Sequence, residues 1–138
     1  MIGRLTLFVL ALSVVSPQAL AQAGPLEGAW VEEGTACTTV FVSASHVGFR
    51  RPASAFAPAF IISGKRLTTP LATCRIAGAR TSGQRHLLAL RCTTTVSSSS
   101  ALAVLAPAEG GGLNRFSAAE GGIATRYQRC TPEMLKAP

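Results

Sequence analysis

Apolar and polar residues alternate along most of the chain after residue 27, and glycine or proline separates the alternating runs at short intervals. Alternation with a period of two predicts strands with one buried face, whereas helical spacing of apolar residues is scarce. The pattern predicts nine strands, at 28–33, 38–43, 46–49, 59–63, 71–79, 84–94, 101–105, 113–117 and 123–130. One turn of helix is expected after Pro132.

The spacing of these predicted strands indicates the fold class. Short strands about ten residues apart, with turn residues between them, are typical of an antiparallel sandwich or barrel. We therefore predict an all-β fold, a small antiparallel β-barrel or half-barrel built as a meander. The glycines at 110–112 fit a turn between strands, because no Gly-Lys-Ser/Thr follows them as a phosphate loop would require.

The first 21 residues have the layout of a secretory signal peptide. Arg4 precedes an uncharged apolar run at 5–15, and small residues stand at Ala19 and Ala21. Cleavage after Ala21 is expected, with Ala23 as second choice. The run is shorter than the ~20 residues that a spanning helix needs. Residues 22–138 are therefore expected to form one exported domain, periplasmic or secreted, without a transmembrane anchor.

Four cysteines are spread widely along this domain, with no Cys-x-x-Cys among them: Cys37, Cys74, Cys92 and Cys130. An even number at wide spacing in an exported domain predicts two disulfides. The spacing lacks the paired ligands of a structural metal site and the paired thiols of a redox motif.

The segment 72–95 predicts a hairpin with its turn at Gly83. If Cys74 lay opposite Cys92, Arg75 would face Arg91, and like charges directly opposed across strands are unfavourable. A three-residue loop at 81–83 avoids that contact and makes the two cysteines only diagonal neighbours. Of the three possible pairings, the expected one is Cys37–Cys74 with Cys92–Cys130.

Charge is distributed unevenly in this chain, whose net charge is +7. All six acids are glutamates, and none lies between residues 34 and 108. Eight cations lie in that stretch: Arg50, Arg51, Lys65, Arg66, Arg75, Arg80, Arg85 and Arg91. Such a block fits contact with an anionic membrane, an envelope polymer or an acidic protein, or it serves solubility alone. Export argues against nucleic acid as the partner.

Groups for catalysis are few. The chain has two histidines and no aspartate, and no serine stands in Gly-x-Ser-x-Gly. His46 and His86 are expected to be structural. Glu32 and Glu33 are adjacent and would point to opposite faces of a strand. We predict a protein that is not an enzyme and that holds no cofactor or metal.

The segment 50–62 combines two prolines with large apolar side chains. Prolines at 52 and 58 argue against a central strand over its first half. Phe56 and Phe60 therefore predict a loop that either plugs one end of the core or forms a contact patch. In the second case Arg50 and Arg51 would form its rim, as in many interfaces.

Gly28-Ala29-Trp30 resembles the opening strand of lipocalin-like barrels. The order of this motif, Cys37, Cys74, a glycine turn and the sequence GLNRF at 112–116 is similar to small periplasmic inhibitors of secreted bacterial metalloproteases. The resemblance implies an exported eight-stranded barrel that places an N-terminal segment in the protease cleft. It also implies a single disulfide, matched here by Cys37 with Cys74; the second cysteine pair departs from that pattern. The inserting arm would be Gln22, Ala23, Gly24, Pro25 and Leu26.

Three functions follow as hypotheses, all of them binding without catalysis. In the first, the arm and the segment 50–60 engage a protein partner, such as an exported protease. In the second, the barrel interior carries a small apolar or anionic ligand, with the segment 50–60 at its mouth. In the third, the basic face contacts anionic envelope polymers, and binding falls steeply with salt.

Overall fold

A computed structural model describes residues 24–136. The predicted signal peptide and the first two residues of the predicted arm, Gln22 and Ala23, lie outside that range. The strands are β1 Gly28–Glu32, β2 Phe41–Ser43, β3 Val47–Phe49, β4 Ala59–Ser63, β5 Arg66–Thr68, β6 Thr73–Ser82, β7 Arg85–Thr93, β8 Ser98–Pro107, β9 Leu113–Phe116 and β10 Ala124–Cys130. The α-helices are α1 Cys37–Val40 and α2 Pro132–Leu135. Within residues 24–136, no helix is long and apolar enough to cross a membrane.

Eight of these strands form a closed antiparallel barrel, so the predicted all-β barrel is confirmed in its closed form. Strands β4 to β10 follow one another as a meander, and β1 closes the barrel by pairing with both β4 and β10. The connection from β1 to β4 leaves the barrel and carries α1 and the hairpin β2–β3.

Two apolar clusters lie on opposite sides of β1. The inner cluster fills the barrel with Leu26, Trp30, Phe60, Ile62, Leu67, Cys74, Leu88, Leu90, Leu105, Leu113 and Tyr127. The outer cluster packs Ala29 and Val31 of β1 against Cys37, Val40 and Phe41 of the β1–β4 connection. Because successive side chains of a strand point to opposite faces, one short apolar strand supplies both clusters.

One predicted strand was wrong in part, and one strand was not predicted. The predicted strand at 38–43 begins as helix α1, and only Phe41–Ser43 is extended. Cys37 and Val40 are both buried and stand three residues apart, which one helical turn places on one face. Strand β5 was not predicted, because three residues, Arg66–Thr68, are too few to show alternation.

The predicted disulfide pairing was also wrong, although the prediction of two disulfides is confirmed. The bonds join Cys37 with Cys130 and Cys74 with Cys92. Ser82 pairs with Arg85, so the β6–β7 loop has two residues, and a register shift between Ile76 and Gly78 follows.

This register sets Cys74 opposite Cys92 and Arg75 opposite Arg91, the arrangement that like-charge repulsion argued against. A disulfide closing a loop of this size contributes about 3 kcal/mol, whereas an unfavourable cross-strand pair costs less than about 1 kcal/mol. The covalent term therefore outweighs the repulsion.

Candidate functional site

One end of the barrel is closed around Trp30, which is 1% exposed. Its indole Nε1 donates a hydrogen bond to the Leu26 carbonyl oxygen at 2.9 Å. The Arg129 guanidinium lies 4.3 Å from the centre of the Trp30 ring and donates to the Glu27 carbonyl oxygen. This ring is part of the core.

The C-terminal residue of the predicted arm belongs to the same closed end. Gly24–Leu26 forms a short 3-10 helix whose first two residues are exposed. Leu26 is 1% exposed and packs inside the barrel. Leu26 would therefore have to leave the core before it could enter a protease cleft.

A cavity of about 320 Å³ occupies another part of the barrel interior. Its inner apolar lining includes Phe60, Leu67, Leu90, Ala103 and Leu105. Leu71 and Arg115 also line it, and both are exposed, so the cavity opens to solvent. Arg115 is the charged residue of the lining.

The segment 50–60 is divided between several environments. Phe60 lies in β4, 7% exposed, and its ring centre is 5.1 Å from that of Tyr127 inside the barrel. Phe56 is 93% exposed on the β3–β4 connection. Ala55, Ala57 and Pro58 line the cavity, so this segment borders it.

The two arginines of this segment lie in different environments. The Arg50 Nε donates to the Thr38 carbonyl oxygen at 3.1 Å and ties the β3–β4 connection to α1. Arg51 instead lines a second depression, a groove of about 890 Å³ on the outside of the barrel.

This groove, called the cationic groove below, lies between strands β4–β7 and the hairpin β2–β3. Residues 46–49 form its hairpin side. Five cations line it, Arg51, Lys65, Arg66, Arg75 and Arg91, and the lining includes no carboxylate.

The strand register orders the floor of the cationic groove into two rows. Arg66 is directly opposite Arg75, and Arg75 is directly opposite Arg91. The same pairings set Thr68 opposite Thr73 and Thr73 opposite Thr93. Directly opposed residues share a face of the sheet, so a row of guanidinium groups runs beside a row of hydroxyl groups.

Several arginines outside the groove have partners within the protein. The Arg85 Nη1 donates to the carbonyl oxygens of Ala118, Ala119 and Gly121. Arg126 forms an ion pair with Glu33 at 2.6 Å, the one ion pair among the residues that the structure describes. The cations of the groove are thus without carboxylate partners over residues 24–136.

The two histidines lie in different parts of the fold. Across residues 24–136, no three His, Cys, Asp or Glu side chains come together in a group that could hold a metal ion. His46 lines the cationic groove with its Nδ1 3.0 Å from the Ser45 hydroxyl, and His86 lies on β7, half-buried.

The basic block is evident in the sequence, but its arrangement around one groove is not. Sequence reasoning did not single out Lys65, Arg66, Arg75 and Arg91 as one site, because β5 was not predicted and the β6–β7 register was wrong. The sequence did contain one indication of the groove. If Cys74 pairs with Cys92, the adjacent residues Arg75 and Arg91 must also lie opposite each other. The cavity-lining residues Leu67, Leu90 and Arg115 carried no comparable signal, because any inward-facing strand residue looks the same in sequence.

Comparison with protein-family models, with curated proteins and with solved structures found no match to this chain.

Proposed function

We propose that this protein is an exported binding protein, not an enzyme, whose barrel holds a small, mainly apolar ligand with an acidic group. The observation that carries the proposal is the open cavity of about 320 Å³ inside the barrel. Small-molecule sites are concave, mostly apolar and about 300–1,000 Å³ in volume, with a few polar groups that orient the ligand. The cavity has this composition.

Arg115 supplies the polar group of the proposed site. It stands opposite Leu105 on β8 and Thr125 on β10, so its side chain starts from the inner face of the barrel. It is nevertheless exposed, which places the guanidinium at the opening. A guanidinium binds carboxylate, sulfonate or phosphate groups through paired hydrogen bonds. An acidic head group would therefore sit at the opening, with the apolar part of the ligand below it.

Exposed apolar residues border the opening. Leu71 is 59% exposed and lines the cavity, and the 93% exposed Phe56 follows the lining residue Ala55. A ligand that protrudes from the cavity would cover this surface. The disulfide Cys74–Cys92 contributes both of its cysteines to the wall and holds β6 and β7 together there.

A protease inhibitor is the competing proposal, and it rests on the N-terminal arm. Because Leu26 is buried in the barrel, the arm that could enter a protease cleft is shortened to residues before it. Removal of residues 22–25 distinguishes the two functions. It should leave ligand uptake by the barrel intact, whereas it would abolish inhibition of a protease.

Two fluorescent probes test the carrier function on the protein of residues 22–138. Anilinonaphthalene sulfonate is apolar and anionic, and N-phenyl-1-naphthylamine is apolar and neutral. Ala103 is partly buried and lines the cavity, so Ala103→Phe should fill the space and abolish the fluorescence increase of both probes. Ala89→Phe is the matched control, because Ala89 is exposed and lies on the neighbouring strand outside the cavity.

Arg115→Gln separates recognition of the acidic group from apolar binding. The Kd of the anionic probe should rise about fivefold, as expected for an exposed charge pair, while the neutral probe should be unaffected. Equal binding of both probes by Ala103→Phe and Ala89→Phe would show that the probes bind elsewhere and would overturn the carrier function.

A further inference from the structure

We infer that the cationic groove binds an acidic polysaccharide, through its row of arginines and its row of threonine hydroxyls. This site lies on the outer face of the barrel and is independent of the interior cavity. Its binding does not depend on whether the carrier function is correct.

Repulsion within the arginine row lowers the stability of the folded protein when no anion is bound. Arg75 has a like charge directly opposite on both neighbouring strands, Arg66 on β5 and Arg91 on β7. Such pairs destabilise a sheet. The disulfide Cys74–Cys92 joins the residues immediately next to Arg75 and Arg91, so it holds the two arginines opposite each other. An anion bound across the row would remove the repulsion.

The donors of the row are available to a ligand. Within residues 24–136, the arginines whose side chains donate hydrogen bonds to the protein are Arg50, Arg85, Arg126 and Arg129. None of them belongs to the row. Arg66, Arg75 and Arg91 are exposed. Their guanidinium forks match the geometry of carboxylate and sulfate groups. The groove therefore presents a line of guanidinium groups that make no hydrogen bonds within residues 24–136.

The dimensions and the second row favour a sugar polymer. Four adjacent strands, β4 to β7, cross the groove, and three spacings of about 4.8 Å give a site roughly 14 Å wide. A single small anion would occupy only part of about 890 Å³. The Thr68 and Thr73 hydroxyl groups can both donate and accept, which complements the hydroxyl groups of a sugar chain. The Thr93 hydroxyl donates to the Thr73 carbonyl oxygen at 3.3 Å and offers its lone pairs as an acceptor.

Nucleic acid fits the same groove less well. Single strands are bound by cationic grooves in which aromatic side chains stack on successive bases. The phenylalanine of the lining is Phe49, on the hairpin side, and its ring is packed 5.3 Å from that of Phe41. The floor is formed by arginine and threonine, which serve acidic groups and hydroxyls rather than bases.

Isothermal titration calorimetry with a heparin-derived hexasaccharide tests the inference on the protein of residues 22–138. Maltohexaose serves as the uncharged sugar, polyphosphate as the sugar-free polyanion, and a single-stranded DNA hexamer as the nucleic acid. The variant is Arg75→Gln, and the matched control is Arg80→Gln. Arg80 is exposed on the same strand, opposite Leu87, and is not part of the groove.

The heparin hexasaccharide should bind, and maltohexaose should not. Arg75→Gln should weaken binding of the hexasaccharide at least about tenfold, because it removes the central group of the row, whereas Arg80→Gln should change it less than about twofold. Equal losses in the two variants would mean that net charge alone attracts the sugar, and would overturn the site. Polyphosphate or DNA binding more tightly than the hexasaccharide would overturn the assignment of the ligand class. Ala103→Phe, which fills the interior cavity, should leave hexasaccharide binding unchanged.

Discussion

Trp30 is held in place by one residue close to it in the sequence and one far from it. Leu26 accepts the indole hydrogen bond, and Arg129, from the last barrel strand, covers the ring. Gly28 is the residue that permits this approach. Its φ of +139° is rarely adopted by other residues, and a Cβ there would collide with the Arg129 guanidinium. The Gly-x-Trp spacing thus has a structural cause at this end of the barrel.

Replacement of Gly28 tests that cause. Gly28→Ala should lower the free energy of unfolding by about 1–3 kcal/mol, because it combines an unfavourable φ with displacement of Arg129. Gly24→Ala is the control, since a Cβ at Gly24 meets no atom within 4 Å, and it should change stability by less than about 0.5 kcal/mol. Urea unfolding followed by Trp30 fluorescence measures both. Equal stability of the two variants would show that Gly28 is not required for the packing of Arg129.

At the level of elements, the hairpin β6–β7 decides the position of the groove. Gly83 has φ +60° and opens a two-residue loop, which matches the twist of a tight hairpin. The shift between Ile76 and Gly78 then changes the register by one residue before the strands reach the cysteines. A hairpin without this bulge would place Arg75 and Arg91 out of line. Local irregularity therefore creates the arginine row.

The two disulfides should differ in what they contribute to stability. Cys37–Cys130 spans 93 residues and Cys74–Cys92 spans 18. Chain entropy gives a bond closing about 100 residues roughly 4.7 kcal/mol and one closing about 15 residues roughly 3 kcal/mol. The double variant Cys37→Ser with Cys130→Ser should therefore be less stable in urea unfolding than Cys74→Ser with Cys92→Ser. The opposite order would show that local packing outweighs loop closure.

For the whole molecule, charge and stability are coupled through the arginine row. The protein carries a net charge of +7, and its one ion pair over residues 24–136 lies outside the groove. Repulsion between exposed charges is screened when the salt concentration brings the Debye length to a few ångströms. The folded state should therefore be more sensitive to salt than that of a protein with paired surface charges.

Thermal unfolding measures this coupling. At low salt, Arg75→Gln should raise the Tm by about 1–3 °C, because it removes two opposed like-charge pairs. In about 1 M salt, where the Debye length is near 3 Å, the difference from the unchanged protein should vanish. Arg80→Gln should raise the Tm less, since Arg80 is opposite Leu87. A lower Tm for Arg75→Gln at low salt would show that the row is not under repulsion.

The class of fold and the number of disulfides could be predicted from the amino-acid sequence alone. Period-two alternation and regular turn residues specify strands with one buried face, and a run of such strands forms an antiparallel sheet that can close into a barrel. The sequence also showed where the cations lie along the chain. These properties depend on residues close together in sequence.

Five features became evident only in the three-dimensional structure: the cysteine pairing, helix α1, strand β5, the cavity and the cationic groove. The pairing depended on a two-residue loop and on one bulge, which together set Cys74 opposite Cys92. The repulsion between Arg75 and Arg91 is too weak to prevent this register. Leu67, Leu90 and Tyr127 come together because the barrel closes, and Arg66 joins Arg75 and Arg91 because β5 pairs with β6. A site assembled from several strands depends on how the strands pair. A shift of two residues keeps the same side chains on the buried face, so the alternation pattern does not distinguish between such registers.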